Sequence, residues 1–380
     1  MIQNRVVLHF PGFEPLDAEA HRQRYERSAA QAARVWESRF DVGPLLDAPS
    51  DPHFTVAAVG ETWATQSDIH IHDHNDLISA MRREPVWRQI VCGFAAGMAV
   101  VRQGAAFAYF RHAWRFALFF LFPYLFIALG IAIGVVTAAL PLAAGLDPLW
   151  LLLSLPLGYV VFRYGWLRFS DRYHVLHLFA DWRLAVAIAD NRPEIAAWIE
   201  RAADRAERAL IRSTDEILVT SHSMGASLAL SVIGCLIERN SEAFAGRRIT
   251  FVTLGGAALQ CSLLSGATVL RHRIGLVARH AQVDWFDIQC LTDPIHLYKC
   301  PTVALSGHRD APQPKLVFVR FKHSMSIARY QKNRRDFLRM HRQYVLGPDQ
   351  KSGYDFTLMT AGPLPAVSFA DLQSTRPPVI

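Results

Sequence analysis

Residues 216–237, EILVTSHSMGASLALSVIGCLI, are the stretch around which the rest of the chain is organised. Ile217 to Thr220 form a short β-branched and apolar run that suits a buried strand, and from Ala226 onward the apolar spacing is that of a helix. Between them stands Ser221-His222-Ser223-Met224-Gly225. A serine on so sharp a strand-to-helix turn is held in a strained backbone conformation that lifts its Oγ above the sheet. Small residues two places before and after let strand and helix approach closely, and Ser221 and Gly225 fill those places. Glycine is the usual residue where Ser221 stands. The plain alternative is a serine that merely caps a buried helix.

The chain of 380 residues is long enough to bury a core and to hold one large or two ordinary domains. Apolar residues make up 51% of it, and the excess is local. Residues 116–140, FALFFLFPYLFIALGIAIGVVTAAL, are 25 positions without a charge, enough to cross a bilayer with some tilt. A second apolar run, LWLLLSLPLGYVVF, covers residues 149–162, and residues 141–148 make a tight link. The economical reading is a helical hairpin of two spans, the alternative a buried helical pair in a soluble domain. Arg102, Arg111 and Arg115 precede the first span and Arg163, Arg168 and Arg172 follow the second, while the link carries only Asp147. The positive-inside tendency then turns both long flanks to the cytoplasm and makes this an integral inner-membrane protein. No signal peptide is expected, because MIQNRVVLHF reads as a strand. Five cysteines without C-x-x-C spacing suit reduced thiols. The net charge of +7 fits an anionic membrane surface as well as nucleic acid, and with two spans present the bilayer is the expected partner and nucleic acid is not.

Taken in order, residues 5–10 read as a strand entering the turn Pro11-Gly12-Phe13-Glu14-Pro15. Residues 17–42 have helical spacing, and residues 53–59 and 63–71 read as strands. On a strand His70, His72 and His74 would share one face, a possible metal-ligand arrangement, but no further ligand group completes it and neither metal nor cofactor is expected. Residues 84–110 suit an interfacial helix, and residues 171–212 a long helical region broken at Pro193. Further strands are expected over 247–255, 282–293 and 315–321, an edge strand over 354–360, and disorder in the Pro-rich tail 363–380. The basic stretch with Arg329, Lys332, Arg334, Arg335 and Arg339 reads as a solvated or membrane-facing helix.

With these segments in view the chain resembles the lipase-like serine α/β-hydrolases, and more narrowly a group of bacterial membrane-associated members. The resemblance rests on Gly12-Phe13-Glu14-Pro15, the apolar hairpin before the serine turn, Ser221 to Gly225, Asp293-Pro294, and His341-Arg342-Gln343-Tyr344 followed by Tyr354-Asp355-Phe356. It implies an α/β fold with a mostly parallel sheet and flanking helices, interrupted by a transmembrane helical hairpin. Residues 1–110 and 169–362 would form the hydrolase domain, 111–168 the hairpin insertion and 363–380 the tail.

The implied chemistry is ester cleavage, with an acyl ester, lipids included, as substrate. Ser223 would be the nucleophile and Asp293 the acid that orients a histidine, with Asp287 as a fallback. The order Ser, Asp, His requires a histidine beyond residue 321, and both His323 and His341 qualify. Position directly after the last strand favours His323, whereas the resemblance favours His341. A straight helix over 326–345 would carry His341 about 25 Å away. The oxyanion donors would be the backbone N–H of Met224 with that of Gly12 or Phe13, since Pro11 has none. Acyl transfer or thioester cleavage would use the same residues, and a non-catalytic membrane scaffold would keep the fold without them.

Overall fold

In the computed structural model, which describes residues 1–380 apart from 49, 212, 213, 243 and 372–375, the stretch that opens with Glu216 becomes a strand buried at every position. Eight strands, β1 (Asn4–Phe10), β2 (Arg39–Val42), β3 (His53–Val59), β4 (Ala64–Ile71), β5 (Glu216–His222), β6 (Ile249–Leu254), β7 (Val283–Cys290) and β8 (Lys315–Val319), form one sheet in the order β2-β3-β4-β1-β5-β6-β7-β8. From β4 through β8 all neighbours run parallel, and at one edge β3 pairs antiparallel with both β2 and β4. The central strands are continuous apolar runs because helices cover both their faces. In β1, Val6, Leu8 and Phe10 pack on the side of helices Val175–Ala189, Pro193–Leu210 and Gly225–Arg239, while Val7 points to the opposite side, toward helix Ala18–Trp36.

A buried ion pair fixes β1 against β5: Arg5 Nε donates to Glu216 Oε2 at 2.5 Å. The remaining donors of Arg5 reach Gly362 O and Leu364 O, and Glu216 Oε1 accepts from Ala366 N at 2.7 Å. A buried pair is tolerable only when its other hydrogen-bonding positions are filled, and here the C-terminal segment fills them. The tail expected to be disordered is therefore ordered where it meets this pair: Ala366–Ala370 form a 3-10 turn with Ala366 and Phe369 buried. Residues 372–375 of that tail lie outside the described residues.

Two helices, Trp114–Ala143 and the run Pro148–Tyr173, are long and apolar enough to cross a membrane. They cross closely because glycines face each other: a Cβ on Gly158 would lie 2.4 Å from Gly134 O. The first turns of the first helix, through Phe116 and Phe120, are buried in the domain core before the helix leaves it. Residues 84–110 form two helices, Val86–Arg102 and Ala105–His112, which leave Trp87, Val91, Met98, Phe107 and Phe110 exposed.

Three local expectations need correction. Residues 354–360 alternate in hydrophobicity, but Asp355 caps a helix, Phe356–Ala361, by accepting from Thr357 N at 2.8 Å and Leu358 N at 3.2 Å. The expected helix over 17–42 stops at Trp36, and Arg39–Val42 returns as edge strand β2. The basic stretch is not one helix: Ile327–Asn333, Phe337–His341 and the 3-10 turn Arg342–Val345 are separate pieces, the second started by Asp336, whose carboxylate accepts from Arg339 N.

Candidate active site

The turn after β5 is built as its sequence demands. Ser223 has φ of 53°, a left-handed conformation costly for a residue with a Cβ. Its N–H donates to Leu254 O at 3.2 Å, and its carbonyl accepts from Ala226 N and Ala257 N, each at 3.0 Å. Gly225 starts the following helix so close to β1 that a Cβ would lie 2.2 Å from Phe10 O. Ser221 is fully buried and its hydroxyl donates to Val252 O at 3.3 Å, so a small residue is required there but glycine is not.

The other predicted residues come to this turn from distant segments. Gly12 is pressed against it, since a Cβ there would stand 2.8 Å from His222 Nδ1 and 3.1 Å from Ser223 Cβ. Among the described residues no acceptor is recorded for the backbone N–H of Gly12, Phe13 or Met224, which leaves those donors for an anion. A narrow cavity of about 30 Å³ is lined by Gly12, Phe13, Ser223 and His341, with Phe119 of the first apolar helix and Leu338 beside them. His341 Nδ1 lies 2.7 Å from Asp293 Oδ2. Burial alone would raise the Asp293 carboxyl, but its electrostatic interaction with the imidazoles of His341 and then His296 holds it far below the usual carboxylate range. An ionised carboxylate only accepts, so His341 donates to it from Nδ1. Nε2 is buried and has no partner among the described residues. In chemical terms the cavity brings together a hydroxyl, an imidazole oriented by a carboxylate, and free backbone donors.

His323 is not brought here. It sits in the 3-10 turn Phe321–His323, is half-buried, and does not line the cavity. Asp287 is turned away as well: its Oδ1 accepts from Thr253 Oγ1 at 2.7 Å and its Oδ2 from Gln289 Nε2 at 2.6 Å within the sheet.

Several residues at the site escaped the sequence reading. His222, inside the serine motif, donates from Nε2 to His341 O at 3.0 Å and so anchors the backbone of the other histidine. Burial, then the neighbouring His341, lowers its ring to about 3, which keeps it neutral. Glu14, noted only as part of the early turn, pairs with Arg24 and accepts from Arg342 Nε at 2.7 Å, tying the Gly12 loop to the residue after His341. His296 Nδ1 stands 3.1 Å from the same Asp293 oxygen as His341, and its spacing of three from Asp293 was the available signal. Asp181 and His177 line the cavity from helix Val175–Ala189, where apolar neighbours gave no hint of them. Burial pushes the Asp181 carboxyl up to about 6, while Gln260 Nε2 donates to its Oδ2 at 2.8 Å.

The histidine cluster does not share one strand face, because β4 ends at Ile71 and His72 and His74 lie beyond it. His70 instead meets His53 and Asp51, whose ligand atoms lie within 4.8 Å of one another. The His53 and His70 rings are stacked, 4.8 Å apart and 14° from parallel. His53 Nδ1 lies 2.8 Å from Asp51 O and His70 Nδ1 3.2 Å from Asp51 Oδ1, so contacts within the cluster already engage these ring nitrogens. A wider cleft of about 690 Å³, between Trp198, Arg205 and Asp73, holds none of the predicted site residues.

No family model, no curated protein and no solved structure matches this chain. The class that fold and site define is an α/β protein with an eight-stranded, mostly parallel sheet, two helices fit to cross a membrane, and a buried serine–histidine–aspartate grouping at the carboxyl end of the central strands.

Proposed function

We propose that the protein is a serine hydrolase of lipase or esterase type, anchored in the inner membrane by its apolar hairpin with the hydrolase domain on the cytoplasmic side. One observation carries the reading: Ser223, held at positive φ on the strand–helix turn, shares a cavity with His341, whose Nδ1 is fixed by Asp293. Ser223 Oγ attacks the acyl carbonyl while His341 Nε2 takes its proton, and the departing alcohol then receives that proton. Water, deprotonated in turn by His341, attacks the acyl carbon; the bond to Ser223 Oγ breaks, the acid leaves, and His341 returns the proton to Ser223 Oγ. Asp293 keeps the imidazole in the needed tautomer and stabilises its charged form. The Met224 N–H with that of Gly12 or Phe13 binds the oxyanion, each donor worth roughly 3 kcal/mol. His323 has no part in this reading. Phe119, on the first apolar helix, lines the same cavity, which favours a substrate that reaches Ser223 from the lipid.

The same acyl-enzyme would serve acyl transfer or thioester cleavage. A non-catalytic scaffold is favoured by one feature, the lack among the described residues of a hydrogen-bond partner for His341 Nε2. Labelling of the detergent-solubilised protein with a fluorophosphonate probe separates these readings. The hydrolase is expected to label, to lose the label in Ser223→Ala and His341→Ala, and to keep it in His323→Ala. Folded wild type that takes no label would establish the scaffold instead.

A further inference from the structure

The two apolar helices interlock in a way that fixes their relative height. Ser154 Oγ donates to Ala138 O at 2.7 Å, Gly158 abuts Gly134, and Trp166 Nε1 donates to Phe126 O at 2.9 Å. Trp166 also closes on Gly130, where a Cβ would lie 2.0 Å from its ring. Arg163, just before Trp166, therefore stands beside the turn from Phe126 to Gly130, about 15–20 Å along the uncharged run that begins at Phe116. The uncharged part of the second helix, residues 149–162, is only about 21 Å long against a hydrocarbon core of about 30 Å. A hairpin that spans the bilayer thus draws Arg163, and Arg168 after it, to headgroup depth or below. A guanidinium at that depth is stabilised by an anionic partner.

Among the described residues neither arginine has a carboxylate within ion-pair distance, although Asp171 lies nearby, and Arg163 only leans over the Tyr164 ring at 5.4 Å. What surrounds them instead is a recess of about 480 Å³, bordered by Val86, Leu167 and Leu176 as well as Tyr164, the two arginines and Asp171. The helix widens to a π-helix over Val161–Trp166, a local irregularity often kept where a site is built. Tyr164 and Trp87 are exposed next to it, as aromatic residues at a membrane–water boundary are.

We propose that this recess binds the headgroup of an anionic phospholipid, its phosphate oxygens on Arg163 and Arg168 and its glycerol end over Val86, Leu167 and Leu176. Guanidinium groups match phosphate oxygens in pairs, and the apolar wall gives the site a use for the lipid that free phosphate does not offer. The inference rests on the membrane-spanning reading of the hairpin and not on the Ser223 chemistry.

The test is the thermal midpoint of delipidated, full-length protein in detergent, with phosphatidylglycerol, phosphatidylcholine or inorganic phosphate added, compared with Arg163→Gln/Arg168→Gln. Phosphatidylglycerol is expected to raise the wild-type midpoint, with the apparent affinity falling about tenfold or more in the double variant. Phosphatidylcholine and phosphate are expected to do little, and Arg172→Gln, outside the recess, to behave as wild type. An equal response to phosphatidylcholine, or an unchanged response in the double variant, overturns the proposal. A full response to inorganic phosphate alone replaces the lipid by a free anion and also overturns it. Should the double variant not fold, the single variants decide, since each is expected to weaken the response and an unchanged pair refutes the site.

Discussion

His341 Nδ1 and Asp293 Oδ2 are 2.7 Å apart although 48 residues separate them in the chain. The contact is buried on both sides and is shared with His296, which stands 3.1 Å from the same oxygen. Asp293 also accepts from Ile295 N at 2.9 Å through its other oxygen. A carboxylate so fully engaged has one rotamer open to it, and that rotamer fixes the imidazole ring.

Replacing Asp293 by Asn removes the charge and offers His341 Nδ1 a competing N–H, which favours the wrong tautomer. If the hydrolase reading holds, the rate of fluorophosphonate labelling in Asp293→Asn falls about 10³–10⁴-fold with an unchanged circular dichroism spectrum. A loss under tenfold in a folded variant would remove Asp293 from the role assigned to it.

Gly225→Ala is expected to be among the most damaging single substitutions in the chain. The new Cβ would meet backbone, 2.2 Å from Phe10 O and 2.5 Å from Pro11 O, and backbone in the sheet's centre cannot give way. The expected loss exceeds about 3 kcal/mol, seen as a collapsed thermal midpoint or as failure to accumulate. Ser221→Gly is the contrasting case, costing about 1 kcal/mol through backbone entropy and one lost hydrogen bond.

Glu14 is buried between Arg24 and Arg342. Burial by itself would raise its carboxyl, but the two guanidinium charges hold it far below the ordinary 4.5. A depressed carboxyl stabilises the fold above its unfolded value, and that stability is lost as pH falls below about 4.5 toward the folded value. Glu14→Gln strips the partner from a largely buried Arg24, with an expected loss of about 3–5 kcal/mol in denaturant titrations at neutral pH. A cost below about 1 kcal/mol would show that the pair is not holding the Gly12 loop.

Neutral buried histidines make the protein acid-sensitive. His74 is fully buried with no partner for either ring nitrogen among the described residues, and burial lowers it from 6.5 to about 4. Between those values the unfolded chain binds the extra proton, so stability falls as pH falls. His74→Phe keeps the edge-on packing against Trp198 and removes this proton. Its stability should fall less steeply from pH 6.5 to 4, by up to about 1.4 kcal/mol per pH unit. Parallel pH profiles for variant and wild type would rule the contribution out.

The central strands and the apolar hairpin were legible because their signals are local. Ile217 to Thr220 run apolar without a break, and residues 116–140 carry no charge, so a short window is enough to read them. Residues 354–360 were misread for the same reason: Tyr354, Phe356 and Leu358 alternate like a strand, and only the carboxylate of Asp355, turned onto Thr357 N and Leu358 N, makes them helical. The short polar edge strand β2 gave too weak a pattern to detect, and its place depends on pairing with β3.

The sequence by itself determined the strand–turn–helix around Ser223, the need for small residues at 221 and 225, and the two apolar helices, since each follows from side-chain size and polarity over a few neighbouring positions. Only the tertiary structure separated His341 from His323. Locally the two are alike, each a histidine near basic residues beyond β8. The difference lies in contacts between remote segments: the break of residues 326–345 into three pieces, the His222 hydrogen bond to His341 O, and the Glu14–Arg342 pair that draws the segment over the Gly12 loop. Such contacts exist only after the chain has closed its long loops, and no short window of sequence contains both partners.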